Sequence, residues 1–413
     1  MIKIIDPELK YCNILYISHD GLSDPLGRSQ IIPYLKELAR KGVKYSVLSF
    51  EKLDSALNKE YIKKITREFT DFKINWIGLR YHTTPPVIAT FLDILCGCFI
   101  SFTFIKNHNI KAIHARSYVS SLIAVILKKI CKVGFIFDMR GFWADERIEA
   151  GLWKNGGFLY RIAKYLEKVF LLSSDEVISL THSGEAELRD FPYLKDTKKN
   201  ITIIPTCVDL KRFRVFKETD IKIPGIENKL VLVYAGSIST WSLPEELLNF
   251  FDVVRRGMPE SHLLIITQEK SLFQDILLTR RMNNDAVSVL SVNHEMVPNY
   301  LSFANVGLAF YKPGYSRKGC CPTKVGEYLA CGLPVIINSG IGDIDEIIIR
   351  ERIGILINEF SYSEYQKAFQ ELKIILSKGD YLRQRCRRAA ERFFSLNSGV
   401  EKYYQVYNNV INK

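Results

Sequence analysis

Short apolar runs rich in valine and isoleucine alternate along the chain with longer stretches whose apolar positions recur with a helical period. This alternation is typical of parallel strands joined by crossover helices. One helix is expected over residues 30–40, before Gly42, because glycine suits the left-handed turn that ends a helix. In the first half of the chain, strands are predicted near residues 13–18, 44–49, 73–78, 111–114, 134–138, 175–179 and 201–204.

A second series of the same kind follows a break in the pattern. Residues 205–229 are polar and include Pro224 and Gly225, so we place the connection between two domains there. Six more strands are predicted, with the sequences LVLVYAG, HLLIIT, AVSVLSV, VGLAFY, PVIIN and GILIN. The expected fold is α/β, with two Rossmann-like domains in tandem. The predicted parts are an N-terminal domain, a linker, a C-terminal domain and a final helix, at residues 1–205, 206–229, 230–394 and 395–413.

Length and composition agree with two folded domains. The chain has 413 residues, of which 47% are apolar, and about 100 to 200 residues per domain are usual. The first residues lack the cationic segment and cleavage site of an export signal, so a cytoplasmic location is expected. The nine cysteines lack the paired CxxC spacing of a zinc site and are expected to be reduced thiols.

The formal net charge is +12. Lysine and arginine are spread along the chain and form no dense block, which argues against a nucleic acid as partner. Phosphate groups or an anionic membrane surface are the expected partners of this charge.

Residues 87–105 form the longest apolar segment of the chain. A membrane-spanning helix usually needs about 20 predominantly apolar residues, and Asp93 lies inside this segment. We therefore expect a buried helix of an α/β layer. A helix resting on a membrane surface is the alternative.

Residues 311–343 contain the strongest candidates for ligand-binding residues. Pro322 suits the first turn of a helix that runs to about Ala330, since the missing amide hydrogen would be unpaired there anyway. Free amides, the helix dipole, the Thr323 hydroxyl and the Lys324 ammonium would then converge, as a diphosphate requires. One turn later, Glu327 can accept hydrogen bonds from ribose or sugar hydroxyls. The alternative is that Thr323 only starts the helix and Lys324 is a solvated charge.

Two glycine turns are further candidates. Gly236 and Ser237 follow a strand, and glycine lets backbone amides approach a phosphate. Residues 24–29 follow the first strand and open a helix, so the amide at Gly27 can serve the donor, while Asp20 and Arg28 can serve the acceptor. An ordinary turn and helix start is the alternative for residues 24–29.

Several segments together resemble one known family. The chain is similar to the retaining glycosyltransferases of family 4, which have the GT-B fold. That resemblance implies two domains facing across a cleft, with a nucleotide sugar bound by the C-terminal half and an acceptor held by the N-terminal half. It also implies a final helix that crosses back to the first domain. The segments that carry it are HDGLSDPLGRSQIIPYLKELARKG, IHARSY, FDMRGFWADERIEAG, IIPTCVDLKRF, YAGSIS and PTKVGEYLACGLP.

The sequence departs from this family at two places. The family has two glutamates with seven residues between them; Glu327 matches the second, and Gly319 stands where the first would be. Many members also carry Arg and then Lys after the glycine turn, whereas GSISTWSLPEE has no basic residue. Lys324 is then the first candidate to neutralise the leaving diphosphate, with Arg317 and Lys318 as alternatives.

Candidate residues in the first half follow strand ends. His114 is expected to end the fourth strand, where the resemblance implies a residue near the reacting sugar carbon. A structural histidine is the alternative. Asp138, Arg140 and Glu146 lie at or just after the fifth strand and can bind acceptor hydroxyls or an acceptor phosphate. Surface salt bridges are the competing explanation for these three.

The predicted activity is transfer of a hexose from a nucleotide diphosphate sugar to an acceptor hydroxyl, with the retention that the resemblance implies. The expected acceptor is a saccharide or a lipid-linked molecule, as in cell-surface polysaccharide or glycolipid synthesis, with peripheral contact to an anionic membrane. No cofactor or metal is predicted, because Asp343 and Asp345 stand where helix capping is expected. Two alternatives stay open: a nicotinamide-dependent oxidoreductase, whose GxGxxG fingerprint is missing after the first strand, and a non-catalytic nucleotide-sugar sensor.

Overall fold

The computed structural model describes residues 12–52, 56–215, 221, 223, 225–226, 228–238, 241–281 and 284–412. The start of the chain, on which the export prediction rests, lies outside these residues. So do parts of the predicted linker, including Pro224, and residues 239–240 of the stretch after the glycine turn. The chain divides into an N-terminal unit, Met1–Pro205 with Leu396–Lys413, and a C-terminal unit, Thr206–Ser395.

The N-terminal unit is built on a sheet of seven parallel strands in the order β3-β2-β1-β4-β5-β6-β7. The five central strands are almost completely buried, which explains why they appear in the sequence as nearly continuous apolar runs. The strands are β1 (Asn13–Ser18), β2 (Lys44–Glu51), β3 (Asn75–Arg80), β4 (Ala112–Arg116), β5 (Gly134–Asp138), β6 (Glu176–Ser179) and β7 (Ile201–Ile203).

Helices cover both faces of this sheet. Right-handed crossovers place the helices before β2 and β3 on one face and those between β3 and β6 on the other. The helices are α1 (Pro25–Gln30), α2 (Ile32–Arg40), α3 (Ala56–Asp71), α4 (Pro86–His108), α5 (Ser117–Cys131), α6 (Trp143–Glu149), α7 (Phe158–Ser173) and α8 (His182–Arg189).

The final helix of the chain, α16 (Leu396–Ile411), packs within the N-terminal unit against α2, β4 and β5. Two of its tyrosines enter the core there: the Tyr403 hydroxyl donates to Asp138 Oδ2 (3.1 Å) and the Tyr407 hydroxyl lies 2.8 Å from His114 Nδ1. The predicted return of the last helix to the first domain is confirmed.

The C-terminal unit repeats the architecture with six parallel strands in the order β10-β9-β8-β11-β12-β13. Alternate side chains of these strands, on one face of the sheet, form a core with the inner sides of surrounding helices. The strands are β8 (Val231–Ala235), β9 (His262–Ile266), β10 (Val287–Leu290), β11 (Val306–Ala309), β12 (Val335–Asn338) and β13 (Gly354–Ile357). The helices are α9 (Pro244–Gly257), α10 (Lys270–Thr279), α11 (Val297–Leu301), α12 (Thr323–Ala330), α13 (Ile344–Glu351), α14 (Tyr362–Leu376) and α15 (Gly379–Phe393).

The two parallel Rossmann-like sheets confirm the predicted fold class. The helix expected over residues 30–40 is α2, Ile32–Arg40, and the short helix α1 precedes it. Two details of the sequence prediction are wrong. The helix expected to be buried at residues 87–105 is longer, and much of its outer side is exposed to solvent. Pro322 lies immediately before α12 and not in its first turn.

Candidate active site

Within the C-terminal unit, the strand order reverses between β8 and β11. In open parallel sheets, ligands bind beyond the carboxyl ends of the strands at such a switch point. Strand β8 ends at Ala235 and is followed by Gly236, whose φ of 138° lies in the region that favours glycine. Tyr311 follows β11 at the same edge. The predicted glycine turn therefore stands where this fold binds ligands.

Helix α12 is held against this edge by one buried tyrosine. The Tyr328 hydroxyl accepts a hydrogen bond from the backbone amide of Ala235 (2.7 Å). Its ring occupies the space beside Gly307 of β11, where a side-chain carbon would come within 2.2 Å of it. The loop before α12 is fixed as well, because the Thr206 hydroxyl donates to the carbonyl of Cys321 (2.5 Å). The amino end of α12, with Thr323 and Lys324, is thereby positioned next to the end of β8.

The Lys324 ammonium lies directly on the glycine turn. A methyl group placed on Gly236 would be 3.0 Å from Lys324 Nζ. The same nitrogen lies 3.7 Å from the centre of the Tyr234 ring and 5.5 Å from that of Tyr311. Within the described residues, it has aromatic faces as neighbours and no carboxylate partner. The site therefore presents a positive charge next to helix-start amides, which attract anions.

Ser237 is organised by a residue that the sequence prediction did not single out. The Ser237 hydroxyl donates to Glu269 Oε2 (2.8 Å), and the amide of Ile238 donates to the same oxygen (2.7 Å). Glu269 thus fixes the turn after Gly236 from the start of α10. The Ser237 hydroxyl and the Ile238 amide both donate to this carboxylate. To donate to a ligand, the Ser237 hydroxyl would have to give up its hydrogen bond to Glu269.

Glu327 lies one turn into α12 and is largely buried. Its Oε1 is 3.6 Å from His294 Nε2, and Arg212 Nη2 donates to His294 Nδ1 (2.8 Å) on the other side of that ring. The three side chains form a continuous polar chain within the C-terminal unit. Arg212 comes from the connector segment IIPTCVDLKRF, so the structure gives that segment a role in placing Glu327. His294 was not predicted, and no motif in the sequence marks it.

The structure shows where Gly319 and the three candidate cations lie. Gly319 is buried in a short turn before α12, at the position where the family has its first glutamate. Arg317 is also buried, and its guanidinium lies 4.2 Å from the centre of the Trp241 ring. Lys318 lies 5.5 Å from the Tyr315 ring. Of the three candidate cations, Lys324 is the one whose ammonium lies against the glycine turn.

The N-terminal unit contains a second polar cluster, centred on Asp138 at the end of β5. Its carboxylate accepts from Tyr403 and lies 3.3 Å from His114 Nε2, with Arg140 and Arg116 at 3.7 and 3.8 Å. Burial alone would raise the pKa of Asp138. The charge of Arg140, the hydrogen bond from His114 and the charge of Arg116 outweigh that effect and lower the pKa to about 2.

His114 does not end a strand as predicted. It lies in the middle of β4 and is buried, with Nε2 facing Asp138 and Nδ1 facing the Tyr407 hydroxyl. Burial lowers the pKa of its imidazole, and the neighbouring Asp138 only partly offsets this. Both ring nitrogens have protein partners, so this geometry does not support the predicted catalytic role, which stays a prediction. Arg116, two residues later, is the residue that ends the strand.

Of the remaining predicted acceptor residues, Asp20 and Arg140 lie near the Asp138 cluster, whereas Arg28 and Glu146 have other surroundings. Asp20 is exposed after β1 and lies 3.9 Å from the Arg116 guanidinium, which connects it to the Asp138 cluster. Arg140 has a φ of 61°, a conformation that costs energy for a residue with a side chain and occurs often at functional sites. Arg28 instead stacks on Tyr61 at 3.8 Å, and Glu146 lies in the first turn of α6.

Gly27, a predicted donor residue, belongs to the N-terminal unit, whereas the other donor candidates belong to the C-terminal unit. A side-chain carbon on Gly27 would come within 2.3 Å of the Gly21 carbonyl oxygen, so close packing explains this glycine. The buried carboxylate of Glu51 holds the same loop by accepting from the amides of Leu22 (2.8 Å) and Ser23 (3.1 Å). The loop after β1 is therefore rigidly built.

Among the described residues, no group of three or more His, Cys, Asp and Glu side chains is arranged to hold a metal ion. Asp343 precedes α13 but makes no capping hydrogen bond through its side chain. Asp345 Oδ2 accepts from the amide of Gly340 (2.9 Å). Asp343 therefore occupies the expected N-cap position without a side-chain cap, while Asp345 stabilises the preceding glycine loop.

The sequence matches two described families, one in each half of the chain. Residues 33–212 match the family described as Glycosyltransferase Family 4, and residues 216–393 match the one described as Glycosyl transferases group 1. No curated protein is similar enough in sequence to count as a match. Both family matches point away from the oxidoreductase alternative.

Solved structures share the fold over nearly the whole chain. A sucrose-phosphate synthase from Thermosynechococcus elongatus has a TM-score of 0.74 at 15% identity, covering 97% of this chain and 99% of that protein. A glycosyltransferase from Rickettsia africae gives 0.68 at 16%, covering 97% and 98%. Anabaena HepE in complex with UDP and glucose gives 0.66 at 12%, covering 96% and 99%.

Proposed function

Because the chain is a glycosyltransferase with the GT-B fold, we propose that it transfers a hexose from a nucleotide diphosphate sugar to an acceptor hydroxyl. The C-terminal unit binds the donor and the N-terminal unit binds the acceptor. The observation that carries this proposal is the Lys324 ammonium, which lies on the Gly236 turn without a carboxylate partner among the described residues. A diphosphate supplies the missing negative charge.

The C-terminal unit acts on the leaving group. As the bond between the anomeric carbon and the diphosphate oxygen breaks, the electron pair stays on the diphosphate, and positive charge develops on the sugar. Lys324, the Thr323 hydroxyl and the first amides of α12 stabilise the negative charge, because fixed dipoles and charges need little reorganisation. Glu327, held by His294 and Arg212, accepts hydrogen bonds from ribose or sugar hydroxyls.

The stereochemical course proposed is retention, as in family 4. The acceptor oxygen forms its bond to the anomeric carbon on the face that the diphosphate leaves, and its proton passes to the departing phosphate oxygen. No covalent bond to the protein is required. Neither a metal nor an organic cofactor takes part in this scheme, because Lys324 and the α12 amides carry the neutralising role.

The acceptor site proposed for the N-terminal unit uses Asp20, Arg116 and Arg140 around the end of β4 and β5. Arginines at this position suit an acceptor that carries a phosphate, because guanidinium groups bind phosphate oxygens in pairs. A lipid-linked saccharide has such a group. This supports a role at the cytoplasmic face of a membrane, in surface polysaccharide or glycolipid synthesis, with no nucleic acid as partner.

The donor is best sought first among uridine diphosphate sugars, because the similar HepE structures hold UDP, UDP with glucose, or UDP-glucose. We expect the protein to release UDP or another nucleoside diphosphate slowly by hydrolysis when a matching sugar nucleotide is offered without acceptor. A panel of UDP-, GDP- and CMP-linked sugars, with the released nucleotide measured by chromatography, checks this. Activity is expected to survive addition of EDTA.

Two outcomes would contradict the proposal in different ways. Binding of a nucleotide sugar without hydrolysis or transfer in the presence of cell-envelope acceptor extracts would favour the sensor alternative. Loss of activity in EDTA with recovery in manganese would contradict the metal-free scheme but not the proposed sugar transfer. Thermal shift measures binding of the same donors in parallel. Binding without turnover indicates a sensor, whereas turnover that requires manganese indicates a metal-dependent enzyme.

A further inference from the structure

The outer surface of α4, α5 and α7 is unusually apolar. These helices lie side by side on one face of the N-terminal sheet. Scattered exposed apolar side chains are normal, but continuous patches mark interaction sites. We name this surface the apolar face; its exposed side chains are Val87, Ile88, Phe91, Leu92, Leu95, Phe99 and Phe102 of α4, Ile126 and Ile130 of α5, and Phe158, Leu159, Ile162, Tyr165 and Leu172 of α7.

Helix α4 provides the centre of the apolar face, and its opposite side is fixed in the protein core. Its length and composition would allow it to cross a membrane. However, Asp93 is buried and accepts from His82 Nδ1 (2.6 Å), with His19 Nε2 at 3.3 Å. Gly97 also faces inward, where an added carbon would lie 2.6 Å from Ile123 Cδ1. A spanning orientation would expose these groups to lipid, so α4 is suited to lie on a surface.

The exposed charged side chains of these three helices are all positive. Their two carboxylates, Asp93 and Glu167, are both buried. The exposed ionic side chains of these helices are all basic: Lys106, Lys129, Arg161 and Lys168. Lys132, directly after α5, is a fifth exposed basic residue. Long basic side chains at the edge of an apolar surface are typical of helices that lie in the interface of an anionic membrane.

We propose that the apolar face docks on an anionic lipid surface, with the exposed apolar side chains of α4, α5 and α7 inserted between the lipid headgroups. The basic side chains would then contact the headgroup phosphates. A second copy of this chain fits less well, because a two-fold interface on this face would bring like charges together. The inference rests on the proposed function in one respect: it places the acceptor-binding unit at the surface where a lipid-linked acceptor is located.

The test is sedimentation of the full-length protein with vesicles, without donor or acceptor. Vesicles of phosphatidylcholine alone are compared with vesicles containing about 30% phosphatidylglycerol. The protein is expected to bind the anionic vesicles at least about 10-fold more strongly, and this preference should weaken at high salt. Phe91→Gln with Phe99→Gln should lower binding by at least about 10-fold, and Lys106→Glu with Lys129→Glu should remove the preference for anionic lipid.

Leu278→Gln with Ile349→Gln is the matched control, because both side chains are exposed and lie in the C-terminal unit. This variant should bind vesicles like the unchanged protein, and all variants should keep its melting temperature. Absence of vesicle binding by the unchanged protein overturns the inference. So does an equal loss in the control, or a concentration-dependent dimer that the Phe91 and Phe99 changes abolish. Hydrolysis of the donor, measured on the same samples, reports separately on the proposed function.

Discussion

Replacing Lys324 by alanine is expected to lower kcat by about 100- to 1,000-fold, the usual cost of removing one group that stabilises developing negative charge. The ammonium lies against Gly236 and Tyr234, and no described carboxylate neutralises it. Its charge is therefore available to the diphosphate as the bond to the sugar breaks. Turnover is measured as release of the nucleoside diphosphate, and circular dichroism follows the fold.

The fold should persist in this variant, because Lys324 makes no buried ion pair with any residue that the structure describes. Lys367→Ala is the matched control: this lysine is exposed in the same unit and pairs with Glu364 on the surface of α14. Turnover in the control should stay within about two-fold of the unchanged protein, since exposed pairs contribute little. Near-normal turnover of the Lys324 variant would transfer the role to another cation, with Arg317 as the next candidate.

Replacing Asp138 by alanine is expected to lower the free energy of unfolding by about 3 to 5 kcal/mol, because removing one partner leaves buried charges uncompensated. Arg116 and Arg140 would lose their common carboxylate, and Tyr403 of α16 would lose its acceptor. The change therefore also weakens the attachment of the final helix. Urea denaturation followed by circular dichroism measures it, with exposed Asp196→Ala, expected within about 0.5 kcal/mol, as control.

The contribution of Asp138 should depend on pH in a defined direction. Its pKa is lowered from 3.8 to about 2 in the folded protein. The folded state therefore binds the proton less readily than the unfolded chain, and the stabilisation is complete above about pH 4 and lost as the pH falls toward 2. The difference in stability between the unchanged protein and Asp138→Asn should shrink over this interval. A difference that stays constant down to pH 2 would show that the charge of Asp138 contributes no stability.

The architecture could be predicted because its signals are local. All thirteen strands were predicted close to their observed positions, since a buried parallel strand is an apolar run bounded by polar residues. The helix at residues 87–105 was predicted to be buried for the same reason, and there the composition was misleading. A helix that is apolar all round has the same sequence pattern whether its outer side meets protein or another apolar phase.

The candidate site was less predictable, because its parts are distant in the chain. The segment around Lys324 could be recognised, since a proline, a hydroxyl and a lysine at a helix start are a local pattern. The contact of Lys324 with Tyr234 and Gly236 joins residues about ninety positions apart, and no periodicity reveals it. His114 was placed at a strand end because the end of β4 was set two residues too early. The tyrosines of α16 that enclose it come from the far end of the chain.

The central claim is that the amino end of α12 and the Gly236 turn form a receptor for a diphosphate, and calorimetric titration tests it most directly. The nucleoside diphosphate that stabilises the protein most and the monophosphate of the same base are titrated into the unchanged protein and into Lys324→Met. We predict that the diphosphate binds at least about 10-fold more tightly than the monophosphate to the unchanged protein, and that this gap closes in the variant. Equal affinities in the unchanged protein, or an equal gap in both proteins, would contradict the account.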